Sequence, residues 1–371
     1  MPRSLTVRRH RARSHRPGAT VTVVIPCYNY ARYLPAAVES VLSQAGVIVD
    51  VVIVDDASVD DSLEVARSLS STDSRVRVLA NETNSGAVET FNRGLAQASG
   101  EFLVRLDADD MLTPGSLARA VAVLQALPDV GLVYGHPLHF SDDELPVARA
   151  EATDWYVWRG SDWLAARCVD GTNVITSPEV VMRRSIVDRV GGQRDLAHTH
   201  DMEMWLRIAA HADVAYVRGV DQAWHRDHPS SLSMKADDPL VILAEIRDAF
   251  DVLFEGESKY IANADVLHRR ARRAVARAAL DQVQRTLDRG QVTNEVGSLR
   301  AFAVTCDPSI VSLPLWRRQE RRVAAGAGRL TRLTGAAGRA RRRLRVMSRR
   351  RRWHESGVYE RLSVVGGRGG E

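Results

Sequence analysis

Cysteine is nearly missing from this 371-residue chain: Cys27, Cys168 and Cys306 are odd in number and far apart. That excludes a disulfide framework and a cysteine-built metal site, and it fits a reducing compartment. Long apolar runs are missing too. No stretch approaches the roughly 18 apolar residues of a spanning helix, and Val21–Pro26 is too short for a signal-peptide core. The expected location is the cytoplasm. No Gly-x-Gly-x-x-Gly follows the first apolar run and no Gly-Lys-Ser/Thr occurs, which argues against a dinucleotide fold or a P-loop. No internal repeat is present.

Acid is missing from the basic ends. Residues 1–20 hold six Arg and no Asp or Glu, and residues 317–352 hold fifteen Arg against one acid, Glu320. Between them, residues 21–316 carry 28 basic and 42 acidic side chains, so the net charge of +5 conceals an acidic globule. Blocks of like charge are commonly solvated tails. Residues 1–20 are therefore expected to form a disordered basic arm, and residues 311–371 an Arg-rich tail, partly helical or disordered. Within 315–352, Arg is interspersed with apolar residues such as Leu344, Val346 and Met347. A basic amphipathic segment of that kind suits an anionic membrane surface, here the inner face of the cell membrane, ahead of a plain solvated tail; nucleic acid ranks last.

What is present from Val21 onward is a repeating order of strand, polar turn and helix. Val21–Pro26, Val49–Val54 and Val76–Leu79 are short β-branched runs, each followed by apolar residues at helical spacing. Such alternation predicts a mostly parallel sheet with right-handed crossovers and ligand groups at the C-terminal strand ends. The fourth strand, Phe102–Leu106, runs into Asp107-Ala108-Asp109-Asp110. In an extended chain Asp107 and Asp109 lie on one side, and paired oxygen donors suit Mg²⁺ or Mn²⁺ carrying a diphosphate. An isolated Asp-x-Asp is more commonly a solvated turn, so the surrounding motifs decide. After Leu127 the alternation breaks down. Residues 141–160 are polar, and Trp155, Trp158 and Trp163 are open to two readings, sugar-stacking rings or buried anchors. From Leu240 to about Arg289 the chain is strongly helical.

The ordered set Thr22-Val23-Val24-Ile25-Pro26-Cys27-Tyr28-Asn29, Val54-Asp55-Asp56-Ala57-Ser58, Asn84-Ser85-Gly86, Leu106-Asp107-Ala108-Asp109-Asp110, Arg183-Arg184, Gly191-Gly192, the stretch from His200 to Arg207 and the stretch from Arg226 to Ser233 resembles family 2 glycosyltransferases with the GT-A fold. The resemblance implies an open, Rossmann-like α/β sheet with flanking helices over 21–235. It divides into a nucleotide-binding half (21–110) and an acceptor half (111–235), followed by a helical extension (236–310) and the basic tail. It implies an enzyme that moves a sugar from a nucleotide-diphosphate sugar to a glycan or lipid-linked acceptor hydroxyl, with inversion, in cell-surface glycan or polysaccharide synthesis. Residue by residue, it implies that Pro26 and Tyr28 wall the base pocket, that Asp56 accepts from the base ring N–H, and that Asp107 serves the ribose and the metal. It further implies that Asp109 is the direct metal ligand, that His228 lies near the diphosphate or metal, and that Asp201 is the general base. Many relatives carry Glu before that base, and here the residue is His200, which leaves the local electrostatics open. A nucleotidyltransferase would want a basic Gly-rich loop after the first strand, and Cys27–Tyr30 offers none. A non-catalytic nucleotide-binding adaptor that meets the membrane through its tail is the other alternative.

Overall fold

The computed structural model describes residues 4–141, 144–228, 238–326 and 329–366. Its first half follows the β-branched runs. Strands β2 (Thr20–Cys27), β3 (Ile48–Asp55), β4 (Val76–Ala80) and β5 (Phe102–Arg105) pair in parallel in the order β4-β3-β2-β5. Helices α1 (Leu34–Leu42), α2 (Ser62–Thr72) and α3 (Gly86–Leu95) are the crossovers. Every residue of β2 from Val21 to Ile25 is buried because helices cover both faces of the sheet. One apolar cluster joins Val21, Val23 and Ile25 to α1 and to α4 (Ser116–Ala126); the other joins Val24, Val52 and Val54 to Phe91 of α3 and to the helices that follow.

The second half is a mixed sheet, so the mostly parallel expectation holds only for the first. Strands β6 (Met111–Leu112), β7 (Val130–Phe140), β8 (Asp154–Trp158), β9 (Val181–Arg183) and β10 (Asp213–Arg226) extend the sheet beyond β5. β9 lies antiparallel between β5 and β7, β10 runs parallel to β7, and β8 and β6 pair antiparallel with β10. Helices α5 (Gly160–Asp170), α6 (Arg184–Val190) and α7 (His200–His211) belong to this half. The long helical stretch divides into α8 (Pro239–Glu257), which packs on α7; α9 (Ala264–Asp288), which packs on α5; and α10 (Asn294–Cys306) and α11 (Pro314–Ala324), which both pack on α9. Trp155, Trp158 and Trp163 are all buried, so they act as anchors of the core.

The N-terminal basic end departs from expectation. Leu5–Arg11 is not disordered: it is strand β1, paired antiparallel with β8. Leu5 and Val7 point inward, while Arg8 pairs with Asp213 and Arg9 with both oxygens of Asp154 at 2.8 and 3.0 Å. The C-terminal segment forms α12 (Arg329–Ser356) and strand β11 (Leu362–Gly366), which pairs parallel with β1. Arg322 and Arg342 converge on the carboxylate of Asp288, and Arg349 meets Asp170 at 2.8 Å. A run of like charge stays solvated only when the fold presents it with no counter-charge, and here acidic partners wait in the globule.

Candidate active site

The C-terminal ends of β2 and β3 open into two turns that are stitched together. Asn29 N–H donates to Ser58 Oγ (3.0 Å), Tyr30 N–H to Ser62 Oγ (2.8 Å), and Val59 N–H to Asn29 Oδ1 (2.9 Å). Asn29 sits at φ 60°, a left-handed conformation that Asn tolerates better than most residues. Asp56, 3% exposed, accepts from Asn81 Nδ2 (2.7 Å), Ser85 N–H (2.8 Å) and Gly86 N–H (2.9 Å). It thus holds the start of α3, and because a carboxylate offers about four acceptor positions, one remains for another donor.

Each carboxylate of the acidic turn after β5 has a basic neighbour. Arg105 grips Asp107 through both guanidinium amines, at 2.8 and 3.2 Å. Asp109 lies 2.8 Å from His228 Nε2. Asp110, fully buried, accepts from His225 Nδ1 (3.0 Å) and from Arg226 N–H (2.9 Å). Burial first, then repulsion from Asp110 and Asp107, pushes the Asp109 carboxyl up to about 7, against the pull of His228. Burial by itself would lower the His225 imidazole, but the Asp110 carboxylate outweighs it and carries the group up to about 9. The turn is therefore rich in hard oxygen donors and carries more negative charge than its partners relieve. That donor set fits a divalent cation of the Mg²⁺ or Mn²⁺ type.

Asp201 lies in the first turn of α7, and its Oδ1 accepts from the next backbone N–H, that of Met202. Burial raises its carboxyl to about 6, although Arg105 works in the opposite direction. The neighbour His200 is buried, shares a hydrogen bond with Leu196 O through Nδ1 (3.1 Å), and is driven down to about 4 by burial and by Arg105. It is neutral at pH 7, so it does not stand in for the charge of a Glu. The position of α7 is fixed from below. Glu203, with no exposed surface, pairs with Arg207 (2.8 Å) and Arg194 (3.2 Å), and Arg207 also donates to the carbonyls of Val190, Gly191 and Gly192. Gly192 has no room for a side chain, because a Cβ there would lie 2.2 Å from Asn92 Oδ1. The Gly191-Gly192 turn is thereby clamped between α3 and α7.

One cavity of about 860 Å³ gathers these groups. Pro26, Tyr28, Asp56, Asp107, Asp109 and Asp201 all line it, with Tyr28 42% exposed at its wall. His228 reaches the cavity through Asp109. The Pro229–Ser233 part of the closing motif lies outside the described residues. Three lining or supporting residues were not singled out from the sequence. Arg105 faces Asp107 because residues two apart in an extended chain share a side, so an Arg ending an apolar strand two places before an Asp was the available signal. His225 and the buried Glu179 carried no comparable signal. Glu179 accepts from Thr176 N–H (2.7 Å) and Ser177 N–H (3.0 Å), shaping the loop from which Ser177 meets Arg105 at 3.4 Å.

Residues 22–191 match the family model described as "Glycosyl transferase family 2". The chain is 29% identical over 195 residues to the putative glycosyltransferase EpsE of Bacillus subtilis, covering 52% of this chain and 67% of that protein. It is 40% identical over 115 residues to an uncharacterised glycosyltransferase of Nostoc sp., covering 31% of this chain and 35% of that one. The match thus spans about a third of the length of that relative. Among solved structures, Staphylococcus aureus TarS 1–349 in complex with UDP-GlcNAc superposes with a TM-score of 0.56 at 18% identity, covering 86% of this chain and 92% of that one. The mannosyltransferase PcManGT from Pyrobaculum calidifontis, in complex with GDP-Man and Mn²⁺, does so with a TM-score of 0.52 at 18% identity, covering 88% and 86%.

Proposed function

We propose that the chain, which has the GT-A fold and matches the family 2 glycosyltransferase model over residues 22–191, is a glycosyltransferase whose cavity transfers a sugar, with inversion, from a nucleotide-diphosphate sugar to an acceptor hydroxyl. The observation that carries this reading is that Asp201 and Asp109 line one cavity together with Asp56, Pro26 and Tyr28. Asp56 is suited to accept from a nucleobase N–H with its remaining lone pair, between Pro26 and Tyr28. Asp107, oriented by Arg105, is placed for the ribose. Asp109 and His228, with Asp107 beside them, are the residues that would hold Mg²⁺ or Mn²⁺. When bound, that cation supplies charge stabilisation to a departing diphosphate.

Asp201 is the group for the acceptor. A carboxylate raised to about 6 is mostly ionised at pH 7 yet more basic than an ordinary Asp, which suits removal of a hydroxyl proton as the glycosidic bond forms. No second carboxylate is assigned as a nucleophile, so the single displacement inverts the anomeric centre. Acceptors are glycan or lipid-linked, in keeping with relatives named for polysaccharide synthesis, such as succinoglycan biosynthesis protein ExoO and chondroitin synthase. The test is release of nucleoside diphosphate from a panel of nucleotide sugars with Mn²⁺. The reading expects turnover that EDTA abolishes and that Asp201→Asn removes while donor binding survives; donor binding with no turnover on any acceptor would leave the adaptor alternative standing.

Membrane association belongs to the same proposal. Among the described residues no helix is long and apolar enough to cross a membrane. On α12, Leu344, Val346 and Met347 are exposed beside the exposed Arg343, Arg345 and Arg350. That mixture suits contact with anionic headgroups, where a lipid-linked acceptor would be met.

A further inference from the structure

Away from the Asp109–His228 pair, the ends of β7 and β10 bring together a different set of ligating side chains: His139, His225 and Asp227. The register explains why. β7 and β10 run parallel with His139 opposite His225 and Phe140 opposite Arg226, and Asp227 N–H continues the pairing by donating to Phe140 O at 2.8 Å. Alternate residues of an extended chain emerge on opposite faces. His225 and Asp227 therefore share a face with His139, while Arg226 and His228 take the other. The contacts follow this split. Arg226 lies over the rings of Phe140 (4.4 Å) and Tyr33 (4.6 Å), and His228 packs near Tyr30 and Tyr33 and reaches Asp109.

The spacing within the set is that of donors around one small cation. His139 Nδ1 is 3.2 and 3.3 Å from the two Asp227 oxygens, and His225 Nε2 is 3.8 Å from the nearer one. Ligands held at Zn²⁺ bond lengths in a tetrahedron stand about 3.4 Å apart. His225 is also oriented as a metal-ligating imidazole: its Nδ1–H is given to the buried Asp110 carboxylate at 3.0 Å, which turns Nε2 toward Asp227. A carboxylate behind the imidazole fixes its tautomer and raises its basicity.

We propose that His139, His225 and Asp227 form a binding site for a borderline divalent transition cation, Zn²⁺ foremost, with water completing the tetrahedron. Two imidazoles and one carboxylate select such an ion, whereas the carboxylate-rich turn selects a harder one. An ion there ties the end of β7 to the end of β10. Through His225 it steadies Asp110 and the acidic turn. The site exists on this chain whether or not the cavity transfers a sugar, and its failure leaves the glycosyltransferase reading intact.

The experiment uses the full chain in excess Mg²⁺, which occupies hard-oxygen positions, in mildly alkaline buffer where protons compete least for imidazole. Zn²⁺ is titrated against a chromophoric chelator, and Co²⁺ serves as a spectroscopic substitute. The expected result is about one Zn²⁺ per chain and the intense visible bands of tetrahedral Co²⁺. His139→Ala and Asp227→Asn are expected to weaken binding roughly tenfold or more, while Asp109→Asn leaves it unchanged. His139 and Asp227 are each 45% exposed, so both variants are expected to keep the metal-free melting temperature of the wild type and to lose only its rise with Zn²⁺. Absence of stoichiometric Zn²⁺ binding, equal binding by all variants, or loss in Asp109→Asn alone would overturn the site and leave an ordinary His–Asp ion pair.

Discussion

The two halves of the sheet reach the same cavity by opposite routes. From β2 to β5 every strand is parallel, each crossover is local, and the chemistry falls at the C-terminal strand ends because the topology leaves the turns nowhere else to go. From β6 to β11 most pairings are antiparallel and join residues far apart in the chain, and Asp201 is held in place by buried ion pairs. Asp201 and Glu203 make the contrast within one helix turn. The first faces the cavity and the second is locked between Arg207 and Arg194. The lesson is that position in one half follows from strand order, while in the other it depends on specific charged clamps.

Several substitutions probe that contrast. The largest effect is expected from Asp201→Asn, which should lower kcat by about 10²- to 10⁴-fold with little change in donor affinity; single-turnover rates beside donor titrations check this, and an unchanged kcat would remove Asp201 from the chemistry. Next comes Glu203→Ala, which leaves the buried Arg207 guanidinium without its carboxylate partner and should cost about 3–5 kcal/mol in a denaturant titration. If stability barely moved, the clamp would not be what sets α7. The pH dependence is the third probe. The proposed base, Asp201, works only when ionised, so kcat/KM should fall roughly tenfold per pH unit as the pH drops below about 6 and level off above it. His200→Glu places a like charge beside Asp201 and should move that limb upward by about half a unit to one unit. The smallest effect concerns the outer surface: replacing Arg343, Arg345 and Arg350 together with Gln should reduce sedimentation with anionic vesicles, by about 1 kcal/mol for each Arg that lies against the surface, and leave turnover of a soluble acceptor unchanged.

Much of the first half was legible because hydrophobic period and turn chemistry agree there. β2, β3, β4 and the helices between them fall within a residue or two of the runs that predict them, and Asp56, Asp107 and Asp109 were visible as carboxylates ending strands. The charged ends were misread for a physical reason. Charge alone predicts solvation, yet Arg9 finds Asp154 and Arg342 finds Asp288, partners more than a hundred and about fifty residues away. His200 could be flagged but not interpreted, since its neutrality comes from burial and from Arg105, neither of which has a local signature. The His139–His225 register was equally hidden, because it depends on β7 and β10 being paired.

The pairing of β1 with β11 has a consequence for how the molecule assembles. Leu5 and Leu362 are separated by more than 350 residues of chain, yet they sit side by side in register. Contacts of such great sequence separation carry the largest loop-closure cost, so this margin of the sheet should be the slowest to form and the first to open. Amide exchange along β1 and β11 is accordingly expected to outpace that of β2 and β3. Until β11 docks, β1 presents an open edge to its neighbours.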